Sequence, residues 1–423
     1  MIDVLIVGAG PAGAVAGFVL ARAGARVRLV DRATFPRDKL CGDTVNPGTL
    51  ARLTSLGLAP GIETRGLRVA GMLVTGERGV AIEGRYPDGL YGRAIVRRDL
   101  DWRLLQGAID AGCRFEQGVS VRGAVVKDGE TGRVVGGVTI GSKGREHRIA
   151  APVTIAADGR HSTIAFGLGL ARHPARPRRW AIGAYYENFN KHRAGMRSST
   201  VLGGDRAPCL DAIEHRAELR QSTVLESTEV LGEMHVRRGR YIGVAAVPGG
   251  LTNVCLVRPS RPGDADLRDP AALLSRELRR DPQLRDRAAD ARLAGPPVVL
   301  GPLAVDATGT MMDGLLLAGD AAGFIDPMTG DGLRFAVRGG ELAAAAALRA
   351  LEHGWRGLHD RLAAERRAEF GGKWRFNRTL RTLVASPGAV EFAALAARAA
   401  PGALRRIIAH AGDCASTSHP LRT

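Results

Sequence analysis

The apolar run Val4-Leu5-Ile6-Val7 leads directly into Gly8-Ala9-Gly10-Pro11-Ala12-Gly13. An alanine-rich stretch over 12–23 follows and stops at Gly24, and 27–30 forms a second short run with Asp31 at its tip. A four-residue apolar run is too short for a core helix, so the order reads strand, tight turn, helix, strand. This βαβ opening commits the chain to a parallel sheet that binds a dinucleotide at its carboxyl edge. The glycines have separate tasks. Gly8 permits the turn, Gly10 lets the backbone approach a pyrophosphate, and Gly13 lets helix and strand pack closely. Ala12 lies in the first helical turn, where free N–H groups and the positive dipole end face the phosphates. Asp31 is expected to accept from a ribose diol and to disfavour a 2′-phosphate. Its neighbour Arg32 is grouped with the same site.

At 423 residues the chain can bury a large core, expected as two interleaved domains. No apolar stretch reaches the roughly 18 residues of a membrane span. The first strand starts almost at Met1, leaving no room for a cleavable signal, so a cytoplasmic protein is expected. The five cysteines (41, 113, 209, 255 and 414) are scattered and odd in number, which suits reduced thiols. There is no CxxC pair and no HExxH, so no metal site is expected. The net charge is +17, and only 39, 127, 143, 191 and 373 are lysine. An acidic partner is one reading; a high-GC genome that writes arginine in place of lysine is the other and the preferred one. Nucleic acid is disfavoured because the basic residues are not interleaved with stacking aromatics.

The fold class expected is α/β: a Rossmann-like cofactor domain interleaved with a β-sheet substrate domain, plus a helical C-terminal region. The cofactor domain is assigned to 1–68, 94–172 and 296–350, the substrate domain to 69–93 and 173–295, and the helical region to 351–423. Helices are expected over 48–56, 99–111, 271–279 and 331–352. The segment 190–230 is polar and without clean period, and is expected as a lid or insertion. Nothing in the pattern sets the oligomeric state.

The opening turn does not separate FAD from NAD, and two later motifs bear on the choice. They are Ala157-Asp158-Gly159-Arg160-His161-Ser162, and Leu317-Ala318-Gly319-Asp320-Ala321-Ala322 leading to Pro327-Met328-Thr329-Gly330-Asp331-Gly332. With the opening turn they resemble the three fingerprints of the flavoprotein hydroxylase superfamily, which implies FAD. By that resemblance Asp320, after Gly319, holds the ribityl or ribose side. Asp158 and Gly159 brace the pyrophosphate and a possible pyridine-nucleotide path. Arg97 matches the arginine before the helix that supports FAD. Gly330 and Gly332 let the backbone meet the flavin edge at a helix start, where the dipole favours negative charge. The bland alternatives are an N-cap role for Asp320 and a solvated first-turn position for Arg97.

Within the superfamily, Pro36-Arg37-Asp38-Lys39-Leu40-Cys41-Gly42-Asp43 resembles the geranylgeranyl reductase family, as does 327–332. This implies reduction of a carbon–carbon double bond in a bulky, isoprenoid-like substrate, with Cys41 and Gly42 in the loop beside the flavin. Cys41 is the candidate catalytic residue. Its basic neighbours Arg37 and Lys39 suit a reactive thiol, and the alternative is a small buried hydrophobe in a tight turn. One departure stands out. Where the family carries an aromatic-rich strand, this chain has Gly243, Ala245 and Val247, which implies a wider or differently shaped cavity. The rival enzyme is a single-component monooxygenase hydroxylating an aromatic or polyketide-like substrate. Halogenation is disfavoured because 67–96 contains no lysine. A non-catalytic flavin or lipid-binding module is the reading from another class. No second GxGxxG unit exists, so NAD(P)H is expected only as a transient donor. The stretches 390–400 and 403–409, with Arg398, Arg405 and Arg406, suggest peripheral membrane contact; a helical cap on the cofactor domain is the alternative.

Overall fold

Four strands that share a parallel register form the centre of the molecule. A computed structural model describes residues 2–189 apart from 78, 130, 131, 143 and 177, residues 229–385 apart from 310, residue 388, and residues 401–414. Val4–Val7 pairs with Val27–Asp31 on one side and Val153–Ala156 on the other, and Leu315–Leu317 continues beyond Val153–Ala156. Arg114–Gln117 and Met311–Met312 close the edges of this six-stranded sheet. Side chains alternate along a strand, and both faces here are covered. Val4 and Ile6 pack against helices Pro11–Arg22, Arg97–Asp110 and Gly332–His353. Leu5 and Val7 pack on a three-stranded antiparallel sheet, Val121–Gly129, Gly132–Ser142 and Arg145–Ala150. Burial on both faces is why the opening strand is apolar throughout. Helices Pro11–Arg22 and Gly332–His353 cross closely. A Cβ on Gly340 would lie 2.4 Å from the Ala12 carbonyl oxygen.

The second sheet has ten strands. Its body is Arg179–Glu187, Leu251–Pro259, Arg240–Val247, Val230–Arg237 and Leu67–Thr75. One face carries Ile182, Ile242, Val244, Val254 and Leu256 against Leu273, Leu274 and Leu278 of helix Pro270–Arg280. The alternate residues, including Tyr185, Tyr241, Gly243, Asn253 and Cys255, look the other way, toward the cofactor domain. Pairing draws the boundary differently from the sequence. Thr44–Val45, Gly92–Ala94 and Val298–Leu300 all join the second sheet, although 44–45 and 298–300 were assigned to the cofactor domain. Strands of two or three residues are too short to show a period.

The helices expected over 48–56, 99–111, 271–279 and 331–352 are Pro47–Ser55, Arg97–Asp110, Pro270–Arg280 and Gly332–His353. Toward the C-terminus, Leu358–Ala385 and Pro401–Ala411 are helical. The stretch 390–400 and positions 190–228 of the irregular segment lie outside the described residues. Among the described residues no helix is long and apolar enough to cross a membrane.

Candidate active site

The opening turn is built by contacts only glycine tolerates. Gly8 has φ +100°, its N–H donates to the Val30 carbonyl at 2.8 Å, and a Cβ there would sit 2.4 Å from the Ala157 oxygen. A Cβ on Gly13 would lie 1.8 Å from the Gly8 oxygen. Gly10 is different. Its nearest neighbour would be the Arg37 guanidinium at 3.5 Å, so its open side forms a shallow cradle at the start of helix Pro11–Arg22. Asp31 holds this turn in shape: Oδ2 accepts from Ala9 N–H at 2.7 Å and Oδ1 from Ala33 N–H at 2.8 Å. Arg32 is exposed beside His161.

Parallel pairing delivers the other two motifs to the same edge. Ala157 N–H donates to Val7 and Ala318 N–H to Ala156, at 2.8 and 2.9 Å. Asp158 Oδ2 accepts from Thr163 N–H at 2.9 Å, while Oδ1 is buried without a partner. Burial pushes this carboxyl above its usual range. Gly159, at φ +83°, leaves open space at its Cβ position. Gly319, at φ +61°, touches Ala12, where a Cβ would come within 2.9 Å. Asp320 is half-buried, and its carboxylate caps no backbone N–H. The capping role weighed for it is therefore not what the geometry has. Instead Asp320 lies in the field of Lys39 and Arg160. Burial holds both cations below their usual values, and Asp320 pulls each the other way. An open glycine cradle, an orphaned carboxylate oxygen, an uncommitted Asp320 and nearby cations fit the diphosphate and hydroxyls of FAD.

The Cys41 loop is pinned from beneath by the second sheet. Asp43 is 1% exposed and left-handed at φ +53°. Tyr185 Oη donates to its Oδ2 at 2.6 Å, Asn253 Nδ2 donates to the same oxygen at 2.5 Å, and Arg97 N–H donates to Oδ1 at 3.2 Å. Asn253 Nδ2 also donates to the Cys41 carbonyl at 2.7 Å. Burial raises Asp43 to about 6 against the pull of these donors. Burial, and then Asp43, push the Tyr185 phenol up, so it stays a donor. The Arg97 side chain is not solvated. It is 6% exposed and forks onto Asp101 at 2.8 and 2.9 Å, within reach of the Cys41 thiol. Burial opposes its charge, but Asp101 and Cys41 more than hold it. Arg37 joins Asp101 at 3.1 Å. Gly42 leaves open space at its Cβ position.

The third loop is pinned in the same way. Tyr241 Oη donates to Asp326 Oδ1 at 2.6 Å, and Arg179 reaches Oδ2 at 3.4 Å. Gly330 turns the chain at φ +70°, next to Thr44, and Gly332 begins the long helix. Between them Asp331 is 1% exposed and pairs with Lys373 at 3.1 Å. Lys373 Nζ also donates to the carbonyls of His410 and Ala411, so all three ammonium protons are used. Between the two pinned loops lies an apolar cluster that includes Leu40, Met234, Tyr241, Cys255, Phe324 and Met328.

Sequence reasoning had no role for the Tyr185 and Tyr241 hydroxyls, Asp326, Asp331, Lys373, or Arg37 over the cradle. One signal was available for Lys373, as one of five lysines in a chain that otherwise writes arginine.

The FAD binding domain family matches residues 1–185. A menaquinone reductase of Mycobacterium tuberculosis is 32% identical over 350 residues, covering 81% of this chain and 75% of the relative. Digeranylgeranylglycerophospholipid reductase 2 of Methanopyrus kandleri is 30% identical over 359 residues, covering 83% and 78%. Among solved structures, the flavin-dependent brominase Bmp2 superposes with a TM-score of 0.77 at 20% identity, covering 98% of this chain and 94% of that one. A flavoprotein/dehydrogenase from Cytophaga hutchinsonii gives 0.74 at 20%, covering 97% and 92%. At that identity the structural likeness shows a shared fold. The sequence relatives reach further: the chain is an FAD-dependent oxidoreductase of the geranylgeranyl reductase family, within the flavoprotein hydroxylase superfamily.

Proposed function

We propose that the protein reduces a carbon–carbon double bond in a bulky, isoprenoid-like substrate, with NAD(P)H as a transient electron donor. FAD, when bound, supplies the hydride. The observation that carries the reading is Cys41, whose loop runs between Arg97 and the apolar cluster of Leu40 and Cys255. Addition of hydride to one alkene carbon requires a proton at the other, and the Cys41 S–H is the group to give it. The thiolate left behind would face the Arg97 guanidinium, whose charge Asp101 fixes in place. Asp43, Tyr185 and Asn253 set the height of the loop. Gly8, Gly10, Gly13, Asp31, Asp158 and Asp320 are the residues to hold the cofactor. The reductase relatives support this chemistry over the rival, oxygen-dependent hydroxylation.

A substrate of this kind resides in lipid, so peripheral membrane contact belongs to the same proposal. Helix Pro401–Ala411 buries Ile408 and exposes Arg405, Arg406 and Ile407, a pattern suited to an anionic lipid surface. The reaction is tested under strict anaerobiosis with NADH or NADPH and a prenylated quinone. Gain of two hydrogens on the prenyl chain without O₂, retained after the quinone ring is reoxidised, supports the reductase. An absolute requirement for O₂, with labelled oxygen in the product, overturns it.

A further inference from the structure

The second sheet presents three glycines toward the cofactor domain, on neighbouring strands. Directly opposed residues on paired strands share a face. Gly183 opposes Cys255, Cys255 opposes Gly243, and Gly243 opposes Met234, so the four form one row across the sheet. Gly232 precedes Met234 on the same face and opposes Met72. Two of the three glycines are already filled. A Cβ on Gly183 would strike Leu40 at 2.3 Å, and one on Gly232 would strike the Met72 sulfur at 2.6 Å. Gly243 is not filled. Its nearest atoms would be two backbone oxygens, of Cys255 at 3.9 Å and Glu233 at 4.0 Å.

We infer that Gly243 is the floor of a recess that takes the widest part of the substrate, a flat fused ring rather than a linear chain. The recess has Met234 on one side, Cys255 on the other, and the low side chain of Ala245 two residues along the strand. Met234 and Cys255 stand on the strands either side of Gly243, each about 5 Å from it, so the gap between them spans two strand spacings and can seat a flat fused ring. Its walls are apolar. Met234 and Cys255 both belong to the half-buried cluster with Leu40 and Phe324. Burial pushes the Cys255 thiol up to about 12, so it remains a neutral wall. Leu40, which covers Gly183, is the residue before Cys41. Cys255, which borders Gly243, also lies close enough to Cys41 to feel it, so a ring seated on Gly243 lies one side chain from the proposed proton donor. Residue 243 becomes the specificity-determining position.

The inference rests on the reading that substrate binds over this sheet face, and binding is measured apart from turnover. The probes are a naphthoquinone bearing a short isoprene tail and geranylgeraniol. Each is titrated into FAD-loaded protein, with the shift in unfolding temperature and the change in flavin absorbance as readouts. Gly243→Phe is expected to weaken the naphthoquinone by about tenfold or more and the linear alcohol by no more than about twofold, the cost of overpacking an occupied recess. Gly243→Ala should fall between wild type and Phe. The site has ordinary strand geometry and open space, so FAD content should stay unchanged in both. Equal weakening of both probes, no weakening of either, or wild-type protein that binds neither, overturns the recess. Wild-type protein that binds both with the expected discrimination but reduces neither upholds the recess and refutes the reaction.

Discussion

Lys373 joins the C-terminal helix to the loop of Gly330 and Gly332, and its removal should cost more than its single charge suggests. Lys373 is 4% exposed and Asp331 1% exposed. Lys373→Met deletes the ion pair and two bonds to the end of helix Pro401–Ala411. Asp331 Oδ2 already has no partner, and only Asn46, at 3.5 Å, would then remain for Oδ1. An uncompensated buried carboxylate follows, with an expected loss of about 3–5 kcal/mol. Asp331→Asn is milder. The ammonium keeps the carbonyls of His410 and Ala411, and a cation at a helix C-terminus is favourable. Its expected cost is about 1–2 kcal/mol. The double variant should lose less than the sum, because neither charge is stranded, with a coupling of about 1.5–3 kcal/mol. Urea unfolding of the four proteins in excess FAD measures the cycle. Additive losses, or Lys373→Met costing no more than Asp331→Asn, would refute the assignment of Lys373 as the partner Asp331 requires.

Gly10→Val should leave a folded protein that no longer retains FAD, because the side chain fills the cradle; normal flavin content in the purified variant would refute the site. Asp320→Ala should weaken FAD by about 1–3 kcal/mol with little change in apo-protein stability, since Asp320 caps nothing; titration calorimetry reads the first and scanning calorimetry the second. Cys41→Ser should keep FAD and flavin reduction by the donor while slowing alkene turnover; unchanged single-turnover rates would leave Cys41 as packing. Glu233 is buried, and although burial raises it, His235 and Arg287 hold it down at about 2. Its stabilisation is present above the unfolded value near 4.5 and is lost as pH falls toward 2, so the gap between wild type and Glu233→Gln should shrink below about pH 4 by up to roughly 3 kcal/mol.

The cofactor half was legible because its signals are local. A strand, a glycine turn and an acid within thirty residues report their geometry through steric rules that need no partner, and the two later motifs sit at strand ends in the same sheet. The helix expected over 331–352 was legible for the same reason: 22 residues with strong apolar periodicity. The substrate half was not. Asp43 reads as one acid in a loop, and only pairing of distant strands brings Tyr185 and Asn253 beneath it, separated from it by 142 and 210 residues. Arg97 was placed by resemblance against FAD. Its fork onto Asp101 is an i,i+4 pair that the sequence did offer, whereas the contact with Cys41 depends on the fold. The Gly243 recess was half legible. The small side chains at 243, 245 and 247 were visible, but which glycines are filled depends on Leu40 and Met72, more than 140 residues away.

The two tyrosine–aspartate bonds tie two loops to one sheet. Tyr185 pins the loop of Cys41 and Tyr241 pins the loop before Gly330, each at 2.6 Å, Tyr185 from the strand of Gly183 and Tyr241 from the strand of Gly243. Both phenols are held protonated by burial and by the acid they face. Each bond therefore has one donor and one acceptor of fixed role, and a loop cannot shift without breaking a hydrogen bond to a buried aspartate. The floor between the pins carries no such obligation. Side chains at 243 and 245 touch neither aspartate, so they can change the recess while the pins hold Cys41 at constant height. In the proposed reaction, substrate width and the placement of the proton donor are thus assigned to different residues of the same face.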